Sequence, residues 1–353
     1  MWHRTCLTAA ALVVALVRPG RAQPEDDAPP RGEISMQRRI AAVAAAIVPG
    51  FVAHGLGSYV VHERRTARRL LLASGAGVGA AAIGGLPVGI SGGNPYASPG
   101  IPLLIAGGGT FLVTWFADIG VAAGLDREGR AIAAPPWSVE LGTIWLHDAF
   151  RERALVHATG RIALGRIDLA AGTLVDAGGD ARDGELGAGV RILGAPATGH
   201  AIADGSRVVV RSALRYHADD ADMVTVVTGD LVVAGRLDLG RYDAMLAGSF
   251  AELSTGIGIE RARYAGDHDT DSLLLGGFAW GVYLGDRGEV AAYYDHRRDS
   301  LAGGIAAWRA AGFVGSVGVY GDVLITPRWA VRGELEIGSS YVTTLALRYR
   351  GGS

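Results

Sequence analysis

Apolar and polar residues alternate along residues 137–350, and a period of two residues predicts β-strands. In the segment 329–337, one face is formed by Trp329, Val331, Gly333, Leu335 and Ile337. The other face is formed by Ala330, Arg332, Glu334 and Glu336. Segments 207–217, 272–284 and 341–349 alternate in the same way, and short polar turns separate such runs. The spacing of strand and turn predicts about 12 strands in this region.

The predicted strands reach about 10 residues, a length typical of strands that cross a membrane as a closed barrel. Strands of soluble sheets are usually about 5–6 residues long. A closed barrel also leaves no unpaired strand edge, as a membrane requires. We therefore expect an antiparallel transmembrane β-barrel over residues 137–350. The polar strand faces are expected to line its narrow lumen, with these residues among them: Arg207, Arg211, Arg215, Arg332, Glu334 and Glu336.

Three apolar segments precede the β-region and span residues 40–61, 70–90 and 101–124. Each is long enough for a membrane helix, although Ala and Gly contribute little transfer free energy. The basic stretch "HERRTARR" forms a polar bend between the first two segments. We expect Gly/Ala-rich apolar helices over residues 36–125. The fold class predicted for the whole chain is therefore an α+β membrane protein.

The remaining segments indicate export and flexible connections. Residues 1–22 resemble a secretory signal peptide, with Arg4 before a short apolar core and a small-residue cleavage site ending at Ala22. Polar, Pro-containing stretches at 23–35 and 126–136 are expected to be linkers. Cys6 is the single cysteine of the chain, so cleavage would leave no thiol for catalysis or metal binding.

Composition supports a membrane protein and excludes a nucleic-acid binder. Of the 353 residues, 49% are hydrophobic and 19% are charged, and the mean hydropathy is +0.25. The formal net charge of −2 provides no bulk attraction for nucleic acid. All 33 basic residues are arginine, a residue suited to fixed ion-pair networks.

The ordering of signal peptide, Gly-rich alternating region and final segment "GSSYVTTLALRYR" resembles outer-membrane β-barrel proteins of Gram-negative bacteria. In the final strand, Tyr341, Leu345, Leu347 and Tyr349 share one face and are similar to the terminal assembly signal of such proteins. The chain departs from that pattern because "RGGS" follows Tyr349. The resemblance implies an outer-membrane location, contact with the lipid bilayer and engagement by the barrel assembly machinery. It names no specific protein partner.

Two polar residues interrupt the apolar helical region, His54 and Asp118. Polar residues at membrane depth are functional-site candidates. His54 follows a Pro49–Gly50 break, where an imidazole can also bond freed backbone groups. Asp118 is expected to pair with an arginine of the stretch 64–69 as a structural ion pair.

The segment "YYDHRRDS" at 293–300 is the strongest catalytic candidate, with His296, Asp295 and Asp299 as the residue types for general-base chemistry. In a strand, however, Asp295 and His296 point to opposite faces. A charge ladder in the lumen or at the rim is the favoured interpretation of this segment.

Other motifs do not support a cofactor or metal site. Gly75, Gly77 and Ala80 have the spacing of a dinucleotide fingerprint, but no acidic residue lies between Arg69 and Asp118. Close helix packing is the better account of these small residues. The acidic loop 266–271 lacks the glycine and distal glutamate of a calcium-binding loop. No cofactor and no metal are expected.

These observations favour a non-enzymatic outer-membrane barrel with a structural or narrow-pore, small-solute transport role. One alternative is an outer-membrane barrel hydrolase that uses the segment 293–300. The other is an inner-membrane helical protein with a periplasmic β domain. The pattern leaves open whether the helices plug the barrel, pack outside it or sit in another membrane.

Overall fold

The structure is a computed structural model. It describes residues 34–90, 100–124, 134–147, 152–179, 181–196, 205–219, 223–241, 248–264, 266–296, 315–338 and 340–352. The expected signal peptide 1–22 lies outside the described residues, as do most of the two expected linkers.

The N-terminal region is helical, as the sequence predicts. Its helices are α1 (Met36–Ile47), α2 (Leu56–Val60), α3 (Arg64–Ile90) and α4 (Gly100–Ala123). A short 3-10 turn at Pro49–Phe51 follows α1. The hydroxyl of Ser35 accepts a hydrogen bond from the Arg38 N–H at 3.4 Å and so caps the start of α1. Two stretches within α3 and α4 are long and apolar enough to cross a membrane, Arg64–Pro87 and Ala106–Ala123.

Twelve antiparallel strands form a closed barrel, which confirms the predicted fold class and strand number. The strands are β1 (Trp137–His147), β2 (Glu152–Leu164), β3 (Ile167–Asp176), β4 (Ala181–Leu193), β5 (Arg207–Asp219), β6 (Val224–Asp238), β7 (Ser249–Tyr264), β8 (Asp267–Tyr283), β9 (Gly288–Asp295), β10 (Ser316–Leu324), β11 (Trp329–Ile337) and β12 (Tyr341–Gly351). Each strand pairs with its neighbours in the sequence, and β1 closes the barrel on β12.

The outer wall of the barrel is apolar. Alternation sends one face of every strand outward, and the exposed outward residues include Leu141, Trp145, Ile162, Leu169, Leu186, Leu214, Leu231, Ile257, Leu274, Leu335, Leu345 and Leu347. A water-facing sheet would place polar side chains there instead. The outer wall therefore matches a lipid environment and disagrees with the alternative of a water-soluble periplasmic β domain.

The barrel has two ends, and we name them by the strands that meet there. The terminal end carries Trp137, which pairs with Gly351, and the distal end carries His147, which pairs with Tyr341. Tyr349 packs near the terminal end against Trp137 and Trp329, with ring centroids 5.6 and 4.9 Å apart. Aromatic side chains at the ends of strands are typical of membrane barrels.

Helices α3 and α4 pack closely because glycines face each other. A Cβ added to Gly107 would lie 2.3 Å from the Ala81 backbone nitrogen. A Cβ added to Gly84 would lie 2.3 Å from the Leu104 nitrogen. Gly77 is part of this contact, whereas a Cβ added to Gly75 would meet nothing within 4 Å. Small residues thus bring the two backbones together, as in membrane helix pairs.

The helical pair lies against the outside of the barrel. Helix α4 contacts β8 and β9, and a Cβ added to Gly109 would lie 3.0 Å from Cε3 of Trp280. Trp280 is on the outward face of β8, because its neighbour Gly281 faces the lumen beside Phe250. Among the described residues, therefore, the helices do not fill the lumen.

Candidate functional site

The lumen holds a cavity of about 900 Å³ in the terminal and central part of the barrel. Small inward residues leave this space open, among them Ala170, Gly187, Gly189 and Ala213. Its wall also carries charged side chains of both signs: Glu140, Arg161, Asp168, Glu185, Arg191, Arg207, Arg211, Arg215, Asp230, Arg236, Glu252, Glu289, Asp295, Asp322, Arg332, Arg348 and Arg350. The barrel therefore combines an apolar outer wall with a polar interior.

Arg236 is the centre of a cluster of ion pairs on strands β6 to β10. Its guanidinium donates to Glu252 at 2.8 Å and to both oxygens of Glu289 at 2.6 and 3.0 Å. Tyr320 donates its hydroxyl proton to Glu289 at 2.8 Å, and the guanidinium carbon lies 4.0 Å from the ring centroid of Phe250. Arg236 is only 8% exposed, so its charge depends on these partners.

Two further arginines bridge strands across the lumen wall. Arg348 of β12 contacts Glu140 of β1 at 2.6 Å and also pairs with Asp322 of β10. Arg215 of β5 lies 3.2 Å from Glu185 of β4. It lies at the same distance from Asp230 of β6. Each of these arginines therefore has two carboxylate partners.

Buried side chains lie in the distal half of the lumen. An apolar cluster there consists of Ile144, Leu146, Leu155 and Val342, with Leu174 against it. Beside it Arg153 pairs with Asp219 at 2.7 Å, and the Tyr293 hydroxyl contacts Glu334 at 2.6 Å and Glu336 at 2.8 Å. This level of the interior therefore combines apolar side chains with ion pairs.

The residues expected at the lumen occupy two levels of it. Arg207, Arg211, Arg215 and Arg332 line the cavity. Glu334 accepts hydrogen bonds from Arg332 and Tyr293, and Glu336 accepts one from Tyr293. The sequence analysis did not single out five further charged residues of the cavity wall: Arg161, Arg191, Arg236, Glu252 and Glu289. Strand alternation places each of them on the inward face, as it does for the residues that were predicted.

The catalytic candidates do not meet on one face. Asp295 lines the lumen cavity, whereas His296 lies on the outward side, where its Nδ1 is 2.7 Å from the hydroxyl of Tyr294. Asp299 lies outside the described residues. The geometry thus provides no His–Asp dyad from Asp295 and His296, as strand alternation predicts.

Asp118 holds the helical region together at its centre. Its carboxylate is fully buried and accepts hydrogen bonds from the backbone N–H groups of Gly55, Gly57 and Ser58 at 2.9, 3.1 and 2.7 Å. The Ser58 hydroxyl donates a fourth bond at 2.6 Å. These donors at the start of α2 satisfy the carboxylate, in place of the arginine pair that the sequence suggested.

His54 lies beside this carboxylate and is 2% exposed. Its Nδ1 is 2.7 Å from Oγ1 of Thr114, whose hydroxyl lies 3.0 Å from the Thr110 carbonyl oxygen. Because the Thr114 hydroxyl donates its proton to that carbonyl, we assign Nδ1 of His54 as the donor to Thr114. The ring packs on Phe111 with centroids 4.3 Å apart. His54 therefore joins the Pro49–Gly50 break to α4.

No protein-family model matches the sequence, and no curated protein matches it. Solved structures match the barrel. The outer membrane protein Omp33 of Acinetobacter baumannii is 10% identical, with 62% of this chain and 100% of that chain covered and a TM-score of 0.33. The KdgM porin is 7% identical, with coverage of 61% and 99% and a TM-score of 0.39. The β domain of the Bordetella autotransporter BrkA is 13% identical, with coverage of 61% and 99% and a TM-score of 0.32.

These matches concern the barrel fold alone. The class of this protein is defined by its own structure, in which a closed antiparallel barrel has an apolar outer wall and a charged lumen. It is a β-barrel of the outer-membrane type, with an N-terminal helical pair packed on its outer wall.

Proposed function

We propose that this protein is a non-enzymatic β-barrel of the bacterial outer membrane and provides a narrow path for small polar solutes. The observation that carries the proposal is the charged cavity of about 900 Å³ inside an apolar outer wall. Water and polar solutes can occupy such a cavity, because its wall offers guanidinium and carboxylate groups. The packed distal half restricts passage to small solutes.

The same proposal covers how the chain reaches its membrane. Residues 1–22 would direct export and be removed, and the barrel assembly machinery would insert the strands. The helices are diluted by glycine and alanine, so the inner membrane would retain them less strongly than fully apolar helices. This moderate hydrophobicity would allow a chain with two candidate membrane helices to pass to the outer membrane.

Fractionation and conductance test these two parts separately. Recovery of the protein in the outer membrane, as a species whose gel mobility changes on heating, would support the location and the closed barrel. Purified protein in planar lipid bilayers is expected to give small, discrete conductance steps, with heat-unfolded protein as the control. A folded barrel that produces no conductance and no liposome swelling would contradict the pore and would leave a structural role.

A further inference from the structure

Three arginines on the lumen wall form no ion pair with any described carboxylate. Arg191, Arg207 and Arg211 all line the cavity. Within the described part of the chain, Arg207 and Arg211 form no ion pair or hydrogen bond, and Arg191 forms no ion pair. The other arginine clusters of the lumen differ, because Arg236, Arg348 and Arg215 each hold two carboxylates.

Strand register makes the three unpaired arginines neighbours. Arg191 of β4 is paired with Val209 of β5. Arg207 and Arg211 flank Val209 at two residues' distance on the same face, so they are the diagonal neighbours of Arg191. Diagonal neighbours on one sheet face lie within reach of long side chains. We call Arg191, Arg207 and Arg211 the lumen arginine cluster.

The carboxylates near this cluster lie in contact with other arginines. Asp168 of β3 is paired in register with Gly189, which is paired with Arg211. Oδ1 of Asp168 lies 2.9 Å from Nη2 of Arg161 but has no hydrogen-bond partner among the described residues. Glu252 and Glu289, which lie towards Arg207, both hold Arg236. Arg161, Arg191, Arg207 and Arg211 with Asp168 carry a net formal charge of +3, and the adjacent group of Arg236, Glu252 and Glu289 carries −1, so this part of the wall has a formal charge of about two positive units.

Arg191 shows that the cluster has unused donors. Its side chain is mostly buried, at 7% exposed, and its Nη1 donates to the Ala195 carbonyl at 2.6 Å. Its Nε is buried and has no hydrogen-bond partner among the described residues. An unpaired buried donor on a charged group is costly, as are like charges placed side by side. A bound anion would offset both costs.

Space for that anion is present in front of the cluster. Arg191, Arg207 and Arg211 line the open cavity, and Gly189 adds no side chain to it between Asp168 and Arg211. Gly187 and Ala213 extend the same small-residue wall. Arginine guanidinium groups match the planar, two-oxygen edge of carboxylate and phosphate groups.

We infer that the lumen arginine cluster binds the carboxylate or phosphate group of a small solute and gives the barrel a preference for anions. This inference rests on the proposed solute path and names the class of solute that it admits. Arg191, Arg207 and Arg211 would donate hydrogen bonds to the oxyanion, while the neutral small residues leave room for the rest of the solute.

The first test measures binding and needs no transport. Inorganic phosphate, and in a second series acetate, is titrated calorimetrically into the folded full-length chain in detergent. Binding is expected in wild type, and R207Q/R211Q is expected to weaken it by roughly tenfold for each arginine removed. The control R328Q removes one positive charge from an exposed turn at the terminal end and is expected to leave the affinity unchanged.

Two results would overturn the anion site: no binding of either probe by folded wild type, or equal affinity in R207Q/R211Q. Heat-modifiable gel mobility establishes that each variant is folded. If the double variant does not fold, the titration is repeated with the single variant R211Q. Arg211 is exposed within the lumen and forms no hydrogen bond or ion pair with a described residue.

A second test separates the anion site from the pore. Reversal potentials in a potassium chloride gradient are expected to show chloride passing more readily than potassium, with the preference reduced in R207Q/R211Q and retained in R328Q. Conductance without this preference would overturn the anion inference and leave the pore standing. Phosphate binding that depends on these arginines, without any conductance, would contradict the proposed solute path and would still support the anion site.

Discussion

The Asp118 carboxylate accepts two hydrogen bonds from Ser58, one from its backbone N–H at 2.7 Å and one from its hydroxyl at 2.6 Å. Ser58 and Asp118 are both completely buried. The remaining carboxylate oxygen accepts from Gly55 and Gly57. A single side chain of α4 thus fixes the chain where it enters α2.

Replacement of this carboxylate is expected to release the α2 segment. D118A would leave three buried backbone donors unsatisfied and should lower the free energy of unfolding of the helical region by about 3 kcal/mol or more. Thermal unfolding followed by far-ultraviolet circular dichroism, with protease resistance, measures the loss. The control S74A removes a hydroxyl that donates only within its own helix, to the Leu71 carbonyl at 2.9 Å. Equal loss in both variants would contradict the assigned role.

Adjacent glycines of α4 should respond oppositely to alanine. G107A places a Cβ against the Ala81 backbone of α3, so it should separate the helices and cost about 1–3 kcal/mol. G108A adds a Cβ where nothing lies within 4 Å. Since glycine is less favourable than alanine inside a helix, G108A should gain about 0.5–1 kcal/mol. The test compares the unfolding midpoints of G107A and G108A with that of wild type. A decrease of similar size in both variants would argue against close packing at Gly107.

Paired and unpaired lumen arginines should differ in their importance for stability. R236A leaves Glu252 and Glu289 without their shared partner and should destabilise the barrel by about 3–5 kcal/mol. R211A removes no bond to a described residue and should change stability by less than about 0.5 kcal/mol. Guanidinium chloride unfolding in detergent measures both. A large loss in R211A would mean that Arg211 supports the fold, and its role in anion binding would then need another explanation.

The apolar cluster in the distal half should limit conductance. The double substitution L146A/L155A removes two buried side chains from the lumen and should raise single-channel conductance, at a stability cost of about 2–5 kcal/mol for each leucine. Leu141 lies on the same strand as Leu146 but faces outward, 59% exposed, so L141A is the control and should leave conductance unchanged. A folded double variant with wild-type conductance would show that solutes bypass this cluster.

The barrel was largely predictable from residue order. Alternation in segments such as 329–337 assigns each residue to one of two faces, and an apolar face on long strands requires lipid outside and polar groups inside. For the same reason the positions of Arg207 and Arg332 on the lumen side follow from parity alone. Alternation also places Asp295 and His296 on opposite faces, which is the arrangement in the structure.

The partners of these residues were not predictable. Arg236 meets Glu289 across 53 positions of sequence, and Arg348 meets Glu140 across 208, because barrel closure and register bring distant strands together. The sequence predicts an ion pair between Asp118 and an arginine of the stretch 64–69, yet folding brings Asp118 three backbone donors that no composition reveals.

The sequence by itself thus determined which side chains face lipid and which face the lumen, since a strand's two faces are set by a period of two residues. Only the tertiary structure decided which of the described arginines form ion pairs, because ion pairing depends on distances across strands. It also decided that the apolar helices pack outside the barrel, where Gly109 meets Trp280, because their hydrophobicity is equally compatible with several locations.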